Sequence, residues 1–269
     1  MAKVCIVILD HRNDVYLRDL VDGVERFCPG VDLALYHSGR EPPRPGTPAA
    51  ALPILPSSRP LQYAKVAPFF LDLLEWAATR DYRCVINAET DMAFVQPGFE
   101  RFVLSAVRQV DYLAPGFSRR TPTRSRWRPH HSLRAELPEL LSILGLDYTN
   151  RCFTPGQVFS ARYVDCVLTS PWYEELRRFV ARNQQPGRSF SLQEVLLPTI
   201  ADALRLRVRD YPSHLARVNR YRPYHAAASV QRARTIPHAY FVHPLRRDEQ
   251  DAARHVARGL SPHTAVAWG

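Results

Sequence analysis

The sequence predicts an α/β protein: a single domain of 269 residues built on a mostly parallel, twisted sheet flanked by helices. Two observations carry this. An apolar run at residues 4–9 passes through a polar loop into an amphipathic helix and then a second apolar run at residues 31–36. That βαβ order calls for a parallel, right-handed crossover and a sheet covered on both faces. Further on, residues 84–88 (CVINA) read as a short buried strand that runs straight into two carboxylates, Glu89 and Asp91, and stops at Gln96-Pro97-Gly98.

The remaining elements follow in order. After the first strand comes the polar loop Asp10-His11-Arg12-Asn13-Asp14, then a helix with Leu17, Leu20, Val21, Val24 and Phe27 on one face, ended by Pro29-Gly30. No G-x-G-x-x-G follows strand one, which argues against a dinucleotide-binding domain. Residues 40–60 hold seven prolines and read as a surface connection. A helix is expected over residues 61–80, headed by Lys65, which is either a ligand contact or a solvated helix lysine. Residues 99–107 read as a helix and 111–114 as a short strand. Residues 116–131 contain five arginines, two histidines and two prolines without periodicity; this is a mobile basic loop, either a lid over an acidic ligand or an insertion. A helix over 136–146, a glycine turn, strand and helix over 154–168, a helix over 172–182 and an apolar helix entered near Glu194 come next. A strand-like 239–243 and a surface helix over 248–260 close the chain.

Composition bounds the function. The net charge is +10, but 34 of the 36 basic residues are arginine, a chain-wide skew that weakens any inference from total charge. Its distribution says more: no Asp or Glu occurs in residues 211–247, which hold seven arginines, nor in residues 118–135. Such fields attract phosphates. Five scattered cysteines with no C-x-x-C pair read as reduced packing residues. With no apolar run of 18 residues and no signal-like start, a cytoplasmic protein without a transmembrane segment is expected.

The chemistry-bearing residues lie at the ends of elements. Glu89 and Asp91 share parity, so in an extended chain both face one volume past a strand's carboxyl end, where open α/β sheets bind ligands. Two such carboxylates are either a solvated turn or hard oxygen ligands for Mg²⁺ or Mn²⁺ carrying a diphosphate. Ser191-x-x-Glu194 fits a capping box, and a carboxylate at a helix N-terminus is also held ionised, as a general base requires. His243 is a metal ligand or a strand-end histidine; Arg246 and Arg247 are placed to neutralise a leaving diphosphate.

This order of parts resembles a GT-A fold glycosyltransferase: a first strand ending in a polar loop, an acidic motif followed by Pro-Gly-Phe, a glycine turn with an F-S-x-R strand and helix, a glutamate opening a helix, and a late His-Pro. The likeness covers roughly residues 3–247. Residues 156–168 and Gln193-Glu194 resemble more narrowly the core-2 type N-acetylglucosaminyltransferases. The resemblance implies one domain with a sugar-nucleotide-binding half at 1–115, a basic loop and helix at 116–150, an acceptor half at 151–247 and a C-terminal helix and tail at 248–269. It implies that Asp10, Arg12 and Asp14 line the nucleotide, that Glu89, Asp91 and His243 hold Mn²⁺ or Mg²⁺ with the donor diphosphate, and that Lys65, Arg246 and Arg247 add positive charge. Glu194 would then be the base for inverting transfer of a hexosyl or N-acetylhexosaminyl group from a nucleoside-diphosphate sugar to a glycan or small-molecule hydroxyl. Glu89 stands where the family's motif has Asp, which keeps open a metal-independent route resting on the arginines. Two other classes stand beside this one. A nucleic-acid-binding protein would use the basic runs with Trp127, Tyr221 and Tyr224, and a steep salt dependence would mark it. A sugar-nucleotide-binding protein without transfer would keep the fold and lose turnover.

Overall fold

The structure is a computed structural model that describes residues 3–12, 15–122 and 125–259. Asp14, expected to line the nucleotide, lies outside the described residues.

Among the described residues ten strands are present: β1 (Val4–Asp10), β2 (Asp32–His37), β3 (Cys84–Glu89), β4 (Ala93–Phe94), β5 (Tyr112–Leu113), β6 (Ser118–Thr121), β7 (Thr149–Arg151), β8 (Val158–Ser160), β9 (Val208–Arg209) and β10 (Phe241–Val242). Six form the main sheet in the order β2-β1-β3-β8-β5-β9. β1 pairs in parallel with β2 and β3, and β5 with β9, while β8 runs against β3 and β5. The sheet is thus mostly parallel, as expected, with β8 its reversed strand.

Alternation along β1 divides the core. Val4, Ile6 and Ile8 face the layer that holds the helices Val15–Phe27, Phe99–Ala106 and Ala252–Arg258, with Phe94 and Phe241. Cys5, Val7 and Leu9 face the layer of helices Ala67–Ala78, Ala161–Leu168 and Gln193–Ala203. Both layers are apolar, so β1 reads as an unbroken apolar run with no polar face.

Two local expectations need correction. The helix read over residues 61–80 starts only at Ala67. Pro68 near its N-terminus suits a first turn and disfavours helix upstream, and Ala64 takes φ +58. Lys65 thus lies ahead of the helix, its ammonium against the carbonyl of Gln185. In the basic segment at 116–131, β6 pairs with β7 and Arg128–Ser132 is a short helix, and none of its described residues lines the cleft described below. Arg119, Arg120 and Arg128 make local contacts, Arg120 lying 5.0 Å from the Tyr148 ring centroid. Arg119 pairs with Asp202 at 3.6 Å, and Arg128 stacks 4.0 Å from the Phe190 ring centroid.

Candidate active site

The strands β1 and β3 end side by side, with Leu9 in register with Glu89. Beyond them lies a cleft of about 310 Å³. Its floor holds Glu89, Asp91, His243 and Glu194, and Arg247 lines it.

The acidic pair is brought together by a turn. Met92 N–H donates to the carbonyl of Glu89 at 2.9 Å, so the chain reverses at Thr90-Asp91 where the sequence had suggested extended geometry. The reversal lets β4 pair antiparallel with β10, in the register Ala93 to Val242. His243 follows at once, and Leu245 N–H donates to the carbonyl of Asp91 at 2.9 Å. A histidine some 150 positions away in the chain is thereby set with its Nε2 3.2 Å from Asp91 Oδ1. One ligand atom from each of Glu89, Asp91 and His243 falls within 4.8 Å of the others.

The electrostatics of this trio are unequal. Burial and the neighbouring Asp91 push the Glu89 carboxyl up to about 7. Asp91 is held below the ordinary carboxylate range, because His243 and Arg247 outweigh its burial. His243 is raised, since Asp91 outweighs the burial that would lower it. The imidazole Nδ1 donates to the carbonyl of Arg220 at 2.9 Å, which turns Nε2 toward the carboxylates. Asp91 Oδ1 is buried, and the imidazole Nε2 is its close neighbour. Two carboxylates and an imidazole oriented from behind, their ligand atoms gathered in one small volume, are a donor set a divalent cation fits.

Glu194 arrives by a different device. Pro198 lies inside the helix Gln193–Ala203 and has no N–H to give the carbonyl four residues earlier. That carbonyl belongs to Glu194, and it accepts from Cys152 N–H at 2.9 Å instead. The segment after Cys152 is thus fastened to the first turn of the helix, and Thr154 Oγ1 donates to Glu194 Oε1 at 3.0 Å. Gln193 Nε2 donates to the same Thr154 oxygen at 3.2 Å. The expected capping box is absent: Ser191 takes φ +49, Glu194 N–H goes to the backbone carbonyl of Ser191, and the carboxylate bonds Thr154. The expected ionisation is overturned with it. Glu194 is 9% exposed, and burial, partly opposed by the Thr154 bond, pushes its carboxyl up to about 8. Desolvation exceeds what the helix terminus supplies.

Of the other residues singled out from sequence, Asp10 is buried at the end of β1, with Oδ2 3.7 Å from His37 Nδ1. Its neighbours Leu9 and His11 line the cleft. Arg12 is exposed. Arg247 donates to Thr90 Oγ1 at 2.9 Å, whereas Arg246 is exposed, its guanidinium 5.7 Å from the Tyr224 ring centroid, and does not line the cleft.

Sequence reasoning missed Asn87, Thr154, Gln193 and Arg254. Asn87 lies in the middle of β3 and is buried. Its side chain donates to the carbonyl of Thr154 at 3.0 Å and accepts from Gln157 N–H at 2.8 Å, so it clamps the glycine turn against the sheet. An Asn inside an apolar strand was the available signal, because a buried amide must find partners.

No protein-family model matches the sequence, and no curated protein matches it. Solved structures match by fold. An active-site mutant of LgtC aligns at 11% identity with TM-score 0.52, covering 98% of this chain and 97% of that one. The galactosyltransferase LgtC with donor and acceptor sugar analogues aligns at 12% identity with TM-score 0.49 over 98% and 97%. The mannosyltransferase Ktr4p from S. cerevisiae aligns at 11% identity with TM-score 0.42 over 78% and 68%. The chain has a single-domain GT-A glycosyltransferase fold. The particular structure that carries this conclusion is the LgtC mutant, with which the chain shares that fold over nearly its whole length. Among the described residues no helix is long and apolar enough to cross a membrane.

Proposed function

We propose that the chain transfers a sugar from a nucleoside-diphosphate sugar to an acceptor hydroxyl. The observation that supports this most is the convergence of Glu89, Asp91, His243, Arg247 and Glu194 on one cleft at the carboxyl ends of β1 and β3. The fold is one in which LgtC, a galactosyltransferase, is built.

In this reading Glu89, Asp91 and His243 Nε2 hold Mn²⁺ or Mg²⁺, which supplies positive charge to the donor diphosphate. Arg247, exposed at the same wall, adds to it. Asp10 and Arg12, on either side of the cleft-lining His11, border the nucleoside end, and the role expected of Asp14 falls on a residue outside those described. Lys65 acts at a distance, holding the 61–66 segment to Gln185, and Arg246 borders Tyr224. Glu194 takes the proton as the acceptor O–H bond breaks. The acceptor oxygen forms its bond to the anomeric carbon while the bond from that carbon to the diphosphate oxygen breaks, its electron pair leaving with the diphosphate. The product is inverted. A base titrating near the working pH is the efficient kind, and the raised Glu194 carboxyl answers to it. Five free cysteines, four of them buried, suit a reducing compartment, and we assign the protein to the cytoplasm.

A second reading rests on Gln193. Its Oε1 is buried in the cleft lining with no hydrogen-bond partner. Were this oxygen to meet the anomeric carbon from the face opposite the diphosphate, a two-step displacement through it would give retention. Melting curves with UDP, GDP, dTDP and CDP, each with Mn²⁺ and with EDTA, test donor binding by mass action. A midpoint raised by one nucleotide supports the reading and identifies the donor class; no rise with any of the four removes it. Proton NMR of the product of the matching sugar nucleotide then decides between inversion and retention.

A further inference from the structure

Among the described residues four large apolar side chains are left exposed: Ile54, Tyr63, Tyr221 and Tyr224. Three of these, at 85%, 59% and 36% exposure, line the one cleft that holds Glu194. Exposed rings gathered at one concave place mark a binding surface more than chance does.

The rings are held. Tyr63 lies in a segment tied at both ends: Ser191 N–H donates to the carbonyl of Ala64 at 2.7 Å, and Gln62 N–H to Gln184 Oε1 at 3.0 Å. On the other side Arg222 lies 4.0 Å from the Tyr224 ring centroid and 5.2 Å from that of Tyr221. It donates to Tyr224 Oη and to the carbonyl of Tyr221, both at 2.9 Å. Among the described residues Arg222 forms no ion pair, whereas Arg59, Arg207, Arg254 and Arg258 each hold a carboxylate. The lining segments nearest these rings, residues 61–66, 190–193 and 221–224, contain no Asp or Glu. The acids of the cleft all lie on its floor.

We propose that Tyr63, Tyr221, Arg222 and Tyr224 form an acceptor subsite for an anionic saccharide. This rests on the transfer reading above and adds to it the class of acceptor. The C–H face of a pyranose ring packs on tyrosine faces, which give apolar area at low entropic cost and a hydroxyl for the sugar's own hydroxyls. The planar guanidinium of Arg222, pre-positioned by its two hydrogen bonds, takes the carboxylate or phosphate of that sugar in bidentate fashion. Charge so bound sits at the rim, clear of Glu89, Asp91 and Glu194.

The test is ligand-observed NMR on the full chain with three probes: methyl glucuronide, glucose 6-phosphate and neutral methyl glucoside. Nucleoside-diphosphate binding with Mn²⁺ is measured on the same sample. One or both anionic sugars are expected to bind at least tenfold more tightly than the neutral one, with saturation strongest at ring protons; which of the two does so separates uronate from phosphate. Arg222→Gln should erase that preference and leave nucleotide affinity unchanged, and Tyr63→Ser should weaken all three sugars. Equal binding of neutral and charged sugars overturns the proposal. So does inorganic phosphate competing as well as the sugar phosphate, or a loss of nucleotide affinity in Arg222→Gln, which would give the arginine to the donor. Failure of the sugar arms with nucleotide binding intact rejects the acceptor class alone, whereas failure of both rejects the transfer reading.

Discussion

Arg254 Nη2 donates to the carbonyl of Thr90, the residue between Glu89 and Asp91, at 3.3 Å. The guanidinium is 1% exposed, and it also donates to Asp19 Oδ2 at 3.1 Å and to the carbonyl of Arg246. Arg247 holds the hydroxyl of the same Thr90. The turn that carries both candidate metal ligands is therefore gripped from behind by the C-terminal helix Ala252–Arg258 and from the cleft side by the segment before it. Arg258 shares Asp19 through two hydrogen bonds of 2.7 and 2.8 Å, which couples this helix to Val15–Phe27.

Arg254→Met should cost roughly 1–3 kcal/mol, because it leaves the carbonyls of Thr90 and Arg246 without this donor and Asp19 with Arg258 alone. Arg254→Lys should recover part of this, since one ammonium reaches fewer of the three acceptors. Urea denaturation reads the stability, and the nucleotide-dependent rise in melting midpoint reads the turn. A Met variant as stable as the parent would show that Arg254 does not organise this region.

Glu194→Gln should lower transfer by about 10²–10⁴-fold and leave nucleotide affinity within twofold. The amide still accepts from Thr154 but takes no proton. Turnover close to the parent's would give the chemistry to another group, with Gln193 the first to examine.

Stability should fall as pH rises, on account of the same residue. Folded-state Glu194 is raised to about 8 from an ordinary 4.5, so the folded chain binds this proton more tightly than the unfolded one. Its contribution is fully present below pH 4.5 and is lost as pH rises toward 8. At roughly 1.4 kcal/mol per unit the loss is on the order of several kcal/mol. Glu194→Gln, neutral throughout, should flatten this slope and melt above the parent at pH 8.5. Parallel melting-versus-pH curves for the two proteins would show that Glu194 does not titrate in this window. A cation bound at the neighbouring acids favours the carboxylate, so Mn²⁺ should move the window to lower pH.

Asp91→Asn should abolish the Mn²⁺-dependent part of nucleotide binding, since it takes the low-pKa carboxylate from the ligand set. Titration calorimetry with and without EDTA measures it. Nucleotide affinity insensitive to both EDTA and Asp91→Asn would transfer the diphosphate to Arg247.

Gly156→Ala should destabilise by about 2 kcal/mol or more. The residue has φ +82, and an added Cβ would stand 2.6 Å from Phe241 Cζ. Its carbonyl accepts from Tyr211 Oη at 2.7 Å and its N–H donates to the carbonyl of Asn87 at 3.1 Å, so the turn has little room to shift. An Ala variant melting with the parent would mean that Phe241 yields freely.

The strands at 4–9 and 84–88 were legible because apolar runs of that length, bounded by turn residues, have few other uses. Helix 15–27 was legible for the same reason, its apolar face repeating at 3.6 residues. Glu89, Asp91 and Glu194 were legible as residues at element ends. What misled was context: Ser191 and Glu194 match a capping pattern, yet burial turned the carboxylate to Thr154 and raised it. Composition could not foresee that Arg119 and Arg120 lie in a strand pairing with β7 and that Arg128 stacks on Phe190.

The α/β class, the order of the elements over residues 4–98 and the residue types able to hold a cation or a proton can be read from the sequence alone, since periodicity and local chemistry are encoded within a dozen residues. Only the tertiary structure decided that His243 meets Asp91, that Pro198 frees the Glu194 carbonyl for Cys152, and that Tyr63 and Tyr221 line one cleft. Those facts depend on β4 pairing with β10 and on buried polar groups finding partners far away in the chain, and a pairing between distant segments is settled by the free energy of the whole core.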